Sequence, residues 1–242
     1  MRGLCDRLYN AVNFEWPQTA MVAAANTTIA GMTLDVLLCP SDRAPARAGA
    51  GPINYRINLG SALRPIVTNL GGAMEALRWL RPAEFRDGLS NTAALSKKVR
   101  GDGRPQRWDA RRDFWFAGFS NDPPVPLTDA ISRCAAPPSS SVPHNSWAGW
   151  CWFLGGYGTT DYNHVVTPNS AVPDCTNYFM RPPFYEEDNP GSGIFPPRSW
   201  HPGGVNLTTA DGALRFIPNG IAPPVFRALG TRAAGDAVAS EP

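Results

Sequence analysis

Only two of the 242 residues are lysine, Lys97 and Lys98; three are histidine, and 17% carry charge at all. The 22 basic residues are nearly cancelled by 20 acids, leaving a formal charge of +2, so the chain has no electrostatic footprint for nucleic acid. A basic run from Lys97 to Arg112, with Trp108 inside it, reads as a solvated loop rather than a phosphate-binding patch. No stretch approaches the roughly 20 apolar residues of a membrane-spanning helix. No apolar run follows Met1-Arg2-Gly3-Leu4-Cys5-Asp6, so these residues do not read as a secretory signal.

Short catalytic signatures are also lacking. No cysteines have C-x-x-C spacing and none of His144, His164 and His201 sits in H-E-x-x-H, so a transition-metal site would have to be assembled from distant positions. No G-x-S-x-G elbow presents a nucleophilic serine. His201, before Pro-Gly-Gly, reads as a polar residue bonding across a tight turn, and His164 reads similarly. No enzyme is expected. A hydrolase would need an activity that disappears with His201 or His164.

What the chain does have is proline (25), glycine (23) and a hydrophobic fraction of 43%, which describe a loop-rich fold with enough apolar material for a core. The best-patterned stretch is Ser199 to Ile217. Val205, Leu207 and Thr209 alternate with polar neighbours, as do Leu214 and Phe216, and Asp211-Gly212 between them suits a tight hairpin turn. Upstream, Leu4 to Phe14 reads as the end of a helix and Gln18 to Ile29 as a short helix stopped by Gly31. Leu34 to Leu38 is an apolar β-like run. Strands are expected at Asn54–Gly60 and Ala93–Val99, and helices at Thr128–Ala135 and Pro223–Leu229. The tail from Ala233 onward is expected to fray. Residues 102–198 change texture, being rich in proline, aromatics, serine and asparagine. They read as a long insertion within a single domain spanning 1–242, ordered by aromatic packing.

Several segments stand in an order that carries a resemblance. They are Tyr9-Asn10-Ala11-Val12-Asn13-Phe14, Cys39-Pro40-Ser41-Asp42, Asn54-Tyr55 with Asn58 and Gly60, and Asp87-Gly88-Leu89-Ser90-Asn91-Thr92. Then come Tyr162-Asn163-His164-Val165-Val166-Thr167-Pro168-Asn169, His201-Pro202-Gly203-Gly204-Val205-Asn206 and Asp211-Gly212. Together they resemble the large planctomycete family of pseudopilin-like proteins, a domain of unknown function whose members carry a prepilin-type cleavage and methylation segment. The resemblance implies an α+β fold of type IV pilin-like architecture: a long N-terminal helix leading into an antiparallel sheet packed with helix. It further implies a structural, non-catalytic role, partnership with other pilin-like subunits or type II secretion components, and a place outside the cytoplasm or at the cell surface. The family's hydrophobic N-terminal helix is absent from the chain as given, so membrane attachment is expected only through that missing segment. Lys97 stands where the family usually has glutamate, and Asp236 replaces another common glutamate.

Three further expectations concern ligands and linkages. Glu186-Glu187-Asp188-Asn189 offers clustered oxygen ligands for calcium, with Asp161 and Asn163 a poorer cluster; the plainer reading is a solvated acidic loop. Among five cysteines, one bridge within Cys134, Cys151 and Cys175 is expected in an oxidising compartment, the pair to examine being Cys151 and Cys175; Cys5 or Cys39 is left without a partner. Trp147, Trp150 and Trp152 invite a carbohydrate-stacking platform, the basis of an alternative reading as a secreted ligand-binding module, against simple core packing.

Overall fold

The computed structural model describes residues 2–14, 24–63, 71–75, 78–119, 125–136, 144–177 and 193–236. Its helices are α1 (Arg2–Ala11), α2 (Ala24–Ala30), α3 (Leu127–Ala135) and α4 (Pro223–Leu229). Its strands are β1 (Tyr55–Asn58), β2 (Ala93–Lys97), β3 (Phe114–Phe116), β4 (His144–Asn145), β5 (Asp161–Tyr162), β6 (Asp174–Thr176), β7 (Gly193–Ile194), β8 (Gly204–Thr209) and β9 (Leu214–Pro218). The fold is α+β, with one sheet ordered β5-β1-β2-β8-β9 and a second ordered β4-β3-β6-β7.

The hairpin β8–β9 forms as its alternation requires, with Val205 opposite Ile217 and Leu207 opposite Arg215. At the turn Gly212 takes a φ of 88°, while the Asp211 carboxylate accepts from the Ala213 amide at 3.0 Å. One face of the hairpin is sealed by α4, whose Phe226 packs with Ala93, Val205, Leu207 and Ile217. Full burial of a phenylalanine contributes about 2–3 kcal/mol. Pro223 and Pro224 begin α4 where a missing N–H costs nothing.

Not every pairing is antiparallel: β1 runs parallel to β5, and β3 parallel to β6. Both pairs join strands far apart in sequence, and such long connections permit the crossover that parallel pairing needs. The strands of the second sheet all fall within the aromatic-rich stretch 102–198, which also supplies β5 to the first sheet. Their core gathers Trp115, Phe119, Val165 and Ile194 around a disulfide between Cys134 on α3 and Cys175 on β6. That bridge fastens the helix to the sheet. It pairs Cys175 with Cys134 rather than with Cys151, which is a buried free thiol 3.8 Å from the Ala30 carbonyl.

Three local expectations are corrected. Leu34 to Leu38 is not a strand: Asp35–Leu37 is a 3-10 turn closed by Leu37 N–H to the Leu34 carbonyl, and Val36 points to solvent. Of the tail from Ala233 onward, residues 237–242 lie outside the described residues, and 233–236 are tied down rather than frayed, because the Asp87 carboxylate accepts from the amides of Ala234 and Gly235 at 2.8 and 3.0 Å. The basic run Lys97–Arg112 is not a uniformly solvated loop. Lys98 and Arg100 are buried, and Arg112 reaches Asp42 at 3.2 Å.

Candidate functional site

Most of the family-like motifs serve to satisfy buried backbone. Asp42, after Cys39-Pro40-Ser41, accepts from Asn54 Nδ2 at 2.8 Å, from the Arg100 amide at 2.7 Å and from Arg112. Asn58 donates to the carbonyls of Ala93 and Gly230, tying β1 to β2 and to the end of α4. Asn91 and Thr92 bond back to the carbonyls of Asp87 and Gly88, closing the Asp87-Gly88-Leu89-Ser90-Asn91-Thr92 turn. Asn163 donates to the Gly193 carbonyl at 2.8 Å and accepts from the Phe195 amide at 3.1 Å. Each supplies a partner to groups that would otherwise be buried unpaired, an omission that costs about 1–3 kcal/mol apiece.

His164 belongs to this class. It is fully buried, with Nδ1 2.7 Å from the Phe226 carbonyl, Nε2 3.1 Å from the Tyr162 hydroxyl, and its ring stacked on Phe226. Burial pushes its imidazole down to about 4, so it is neutral at physiological pH. A Cβ on Gly230 would come within 2.5 Å of it, so that position requires glycine. After Pro168, Asn169 adopts a φ of 51° and accepts from the Ser199 amide at 2.9 Å, anchoring the chain just before His201-Pro202-Gly203-Gly204. At the far end of the hairpin, Asp211-Gly212 makes only the turn already described.

Cys39, Lys97 and His201 depart from this pattern. Lys97 at the end of β2 places Nζ 2.9 Å from His201 Nε2 and 3.7 Å from Cys39 Sγ, and the sulfur lies 3.7 Å from His201 Nε2. Burial, followed by the Lys97 charge, lowers the His201 pKa, so the imidazole accepts from the lysine. The Tyr55 ring stands 5.8 Å from Nζ, and its hydroxyl is pushed above its usual range by burial and then by Cys39. His201 is therefore not a turn-bridging residue. Its ring joins two segments 162 and 104 residues away.

His201 also lines a surface cleft of about 500 Å³ with Arg111, Asn169, Trp200, Gly203 and Asn219. The Arg111 guanidinium lies 4.3 Å from the Trp200 ring centre and donates to the Ser199 carbonyl. Arg112 lies 4.9 Å from the same ring, so the Trp200 face is engaged by this chain's own arginines, and the cleft offers a cation and amide side chains to a polar ligand.

The tryptophan-rich segment is arranged differently. The Arg47 guanidinium lies 5.2 Å from the Trp147 ring and 4.7 Å from that of Trp150, and Trp152 donates to the Met32 carbonyl. Trp150 and Phe153 pack on Ala30, Cys151 and Leu154. The faces of Trp147 and Trp150 are thus engaged by this chain's own arginine. Glu186, Glu187, Asp188 and Asn189 lie outside the described residues. Among the described residues no three His, Cys, Asp or Glu side chains gather as a metal site, and no helix is long and apolar enough to cross a membrane.

The Cys39–Lys97–His201 contact was not legible in sequence, because no spacing links positions so far apart. The lysine in place of glutamate at 97, beside two motif residues that turned out to be its neighbours, was the one available hint.

Compared with known proteins, the chain matches no curated protein and no solved structure. A family model does match, over residues 5–223, nearly the whole chain. The protein therefore belongs to the family described as "Protein of unknown function (DUF1559)".

Proposed function

We propose that the chain is a structural, pilin-like subunit of a secretion- or pilus-type assembly outside the cytoplasm, working through its surfaces rather than a reactive site. The observation that carries this reading is the outer face of the first sheet. Ile57 is opposite Leu95, Leu95 opposite Thr208, and Thr208 opposite Leu214, while Phe216 lies two residues further along β9. Leu95, Leu214 and Phe216 are exposed, at 39%, 70% and 53%. Apolar side chains from three strands, with Thr208 between them on the fourth, make an exposed patch on the face opposite α4, the kind of surface that marks a protein contact. The motif residues support the same reading, because most of them brace the fold. The Cys134–Cys175 bridge fits an oxidising compartment.

The test is cross-linking in the native cell combined with sedimentation of the purified chain. Leu214→Lys with Phe216→Lys should abolish the cross-links to pilin-like subunits and any self-association, while leaving the circular dichroism spectrum unchanged. Wild-type protein without such partners, monomeric at every concentration, would defeat the proposal.

The cleft beside Trp200 favours a second reading, a ligand-binding module of the cell surface. Saturable binding of a glycan or small polar ligand, lost in Trp200→Ala but kept in the Leu214/Phe216 variant, would favour it over the first.

A further inference from the structure

The Cys39–Lys97–His201 contact has a chemistry that a structural subunit does not need. Cys39 is 6% exposed, and its sulfur faces an amine at 3.7 Å rather than another thiol. The other free thiol among the described cysteines, Cys151, faces only a backbone carbonyl. Lys97 Nζ is hydrogen-bonded at 2.9 Å to an imidazole nitrogen able to take its proton. His201 lines the open cleft and Lys97 is half-buried, so the cluster lies at the protein surface although Cys39 itself does not line the cleft.

We propose that Cys39 and Lys97 form a redox-closed covalent pair, in which peroxide-oxidised Cys39 is captured by the Lys97 amine as a sulfenamide. In the first step the Cys39 thiol gives two electrons to hydrogen peroxide, yielding a sulfenic acid and one water. In the second, Lys97 passes a proton to His201 Nε2, and its free amine attacks the sulfur. The S–O bond breaks as the S–N bond forms, and the departing hydroxide takes the second amine proton and leaves as water. Nitrogen keeps its oxidation state, so one peroxide suffices. His201 is the positioning residue, since it orients the amine and accepts its proton. The geometry requires only that the flexible lysine stem advance toward a sulfur it already approaches.

Closure joins the loop after the Asp35–Leu37 turn to the end of β2. It also shields the sulfur from the irreversible sulfinic and sulfonic steps. A thiol reducing agent reverses it by attack on sulfur, releasing the lysine.

The experiment treats the full chain with hydrogen peroxide and maps its peptides by mass spectrometry. A peptide containing Cys39 should appear linked to one containing Lys97, about 2 Da lighter than their sum, and dithiothreitol should separate them. Lys97→Arg keeps the charge but cannot form the link; it should melt like the wild type and yield no linked peptide. His201→Gln should give the same product several-fold more slowly. Oxidation of Cys39 to sulfinic acid at the same rate in wild type and Lys97→Arg would overturn the proposal. So would recovery of Cys39 unmodified, or only in a disulfide.

Discussion

Asp174→Asn is expected to be the most damaging single substitution in the described structure. Asp174 opens β6 and is 2% exposed; its carboxylate receives Lys98 Nζ on one oxygen and Arg198 Nε at 2.8 Å on the other. Both cations are buried too. Their remaining donors go to carbonyls: Lys98 to Pro196, and Arg198 to Ser170 and Val172. This carboxylate joins the second sheet to the segment just beyond β2. Replacing it with a neutral amide leaves two cations in a dry site, and breaking a buried pair in this way costs about 3–5 kcal/mol. The midpoint of urea unfolding is the measurement. Arg104→Ala, which removes an exposed partner of Asp102, is the control and should move it by no more than about 0.5 kcal/mol. The pH dependence gives a second readout. Burial, followed by Arg198 and Arg56, holds the Lys98 ammonium well below its ordinary range. A base depressed in the folded state binds fewer protons folded than unfolded, so stability rises with pH through that interval. Without Asp174 the ammonium loses its counter-charge, so Asp174→Asn should recover more stability than the wild type between neutral and alkaline pH. A variant as stable as the wild type at neutral pH would show that the cluster contributes nothing net.

What could be read from the chain beforehand follows the same physics. The β8–β9 hairpin was legible because period-two alternation and Asp-Gly both act within a dozen residues. α3 and α4 were legible because helical spacing and a proline start are local. The ordered motifs carried the resemblance, and through it the α+β class and membership of the family of unknown function. The two-residue strands β4, β5 and β7 were not legible, since two residues carry no periodicity and their pairing depends on partners far along the chain. Leu34 to Leu38 misled because an apolar run suggests a buried strand, whereas here it closes a 3-10 turn at the surface and leaves Val36 exposed. Charge misled most. Arginine and lysine in a run ordinarily mean solvent, and nothing in Lys97–Arg112 announces that Lys98 meets Asp174 or that Arg100 and Arg112 meet Asp42. The candidate site was half legible: Cys39 and His201 stood out as motif residues, but the contact that gives them chemistry depends on tertiary folding.

Asp113→Asn should act in the opposite direction and stabilise the protein at alkaline pH. Asp113 just precedes β3 and is fully buried. Its Oδ2 accepts from the Asp109 amide at 2.8 Å, and its Oδ1 has no hydrogen-bond partner. His144 Nε2 lies 3.6 Å away, beyond hydrogen-bond range. Since Trp115 is opposite His144 and Phe114 opposite Asn145, Asp113 falls opposite Ser146, whose buried hydroxyl also has no partner. Burial raises the Asp113 pKa to about 7; the Asp109 amide opposes the shift, the Asp102 and Asp109 carboxylates add to it, and Arg112 opposes it. The folded chain thus holds a proton that the unfolded chain releases from about pH 4 upward. The unfolded state binds fewer protons across that window, so stability falls as pH rises from about 4 to about 7 and then levels off. The full loss amounts to about 4 kcal/mol at most. Asparagine keeps the shape and an acceptor for the Asp109 amide but cannot ionise. Its melting temperature should match the wild type near pH 4 and exceed it by several degrees at pH 8. A variant less stable than the wild type at pH 8 would mean instead that ionised Asp113 is held by His144, and that the pair stabilises this end of the second sheet.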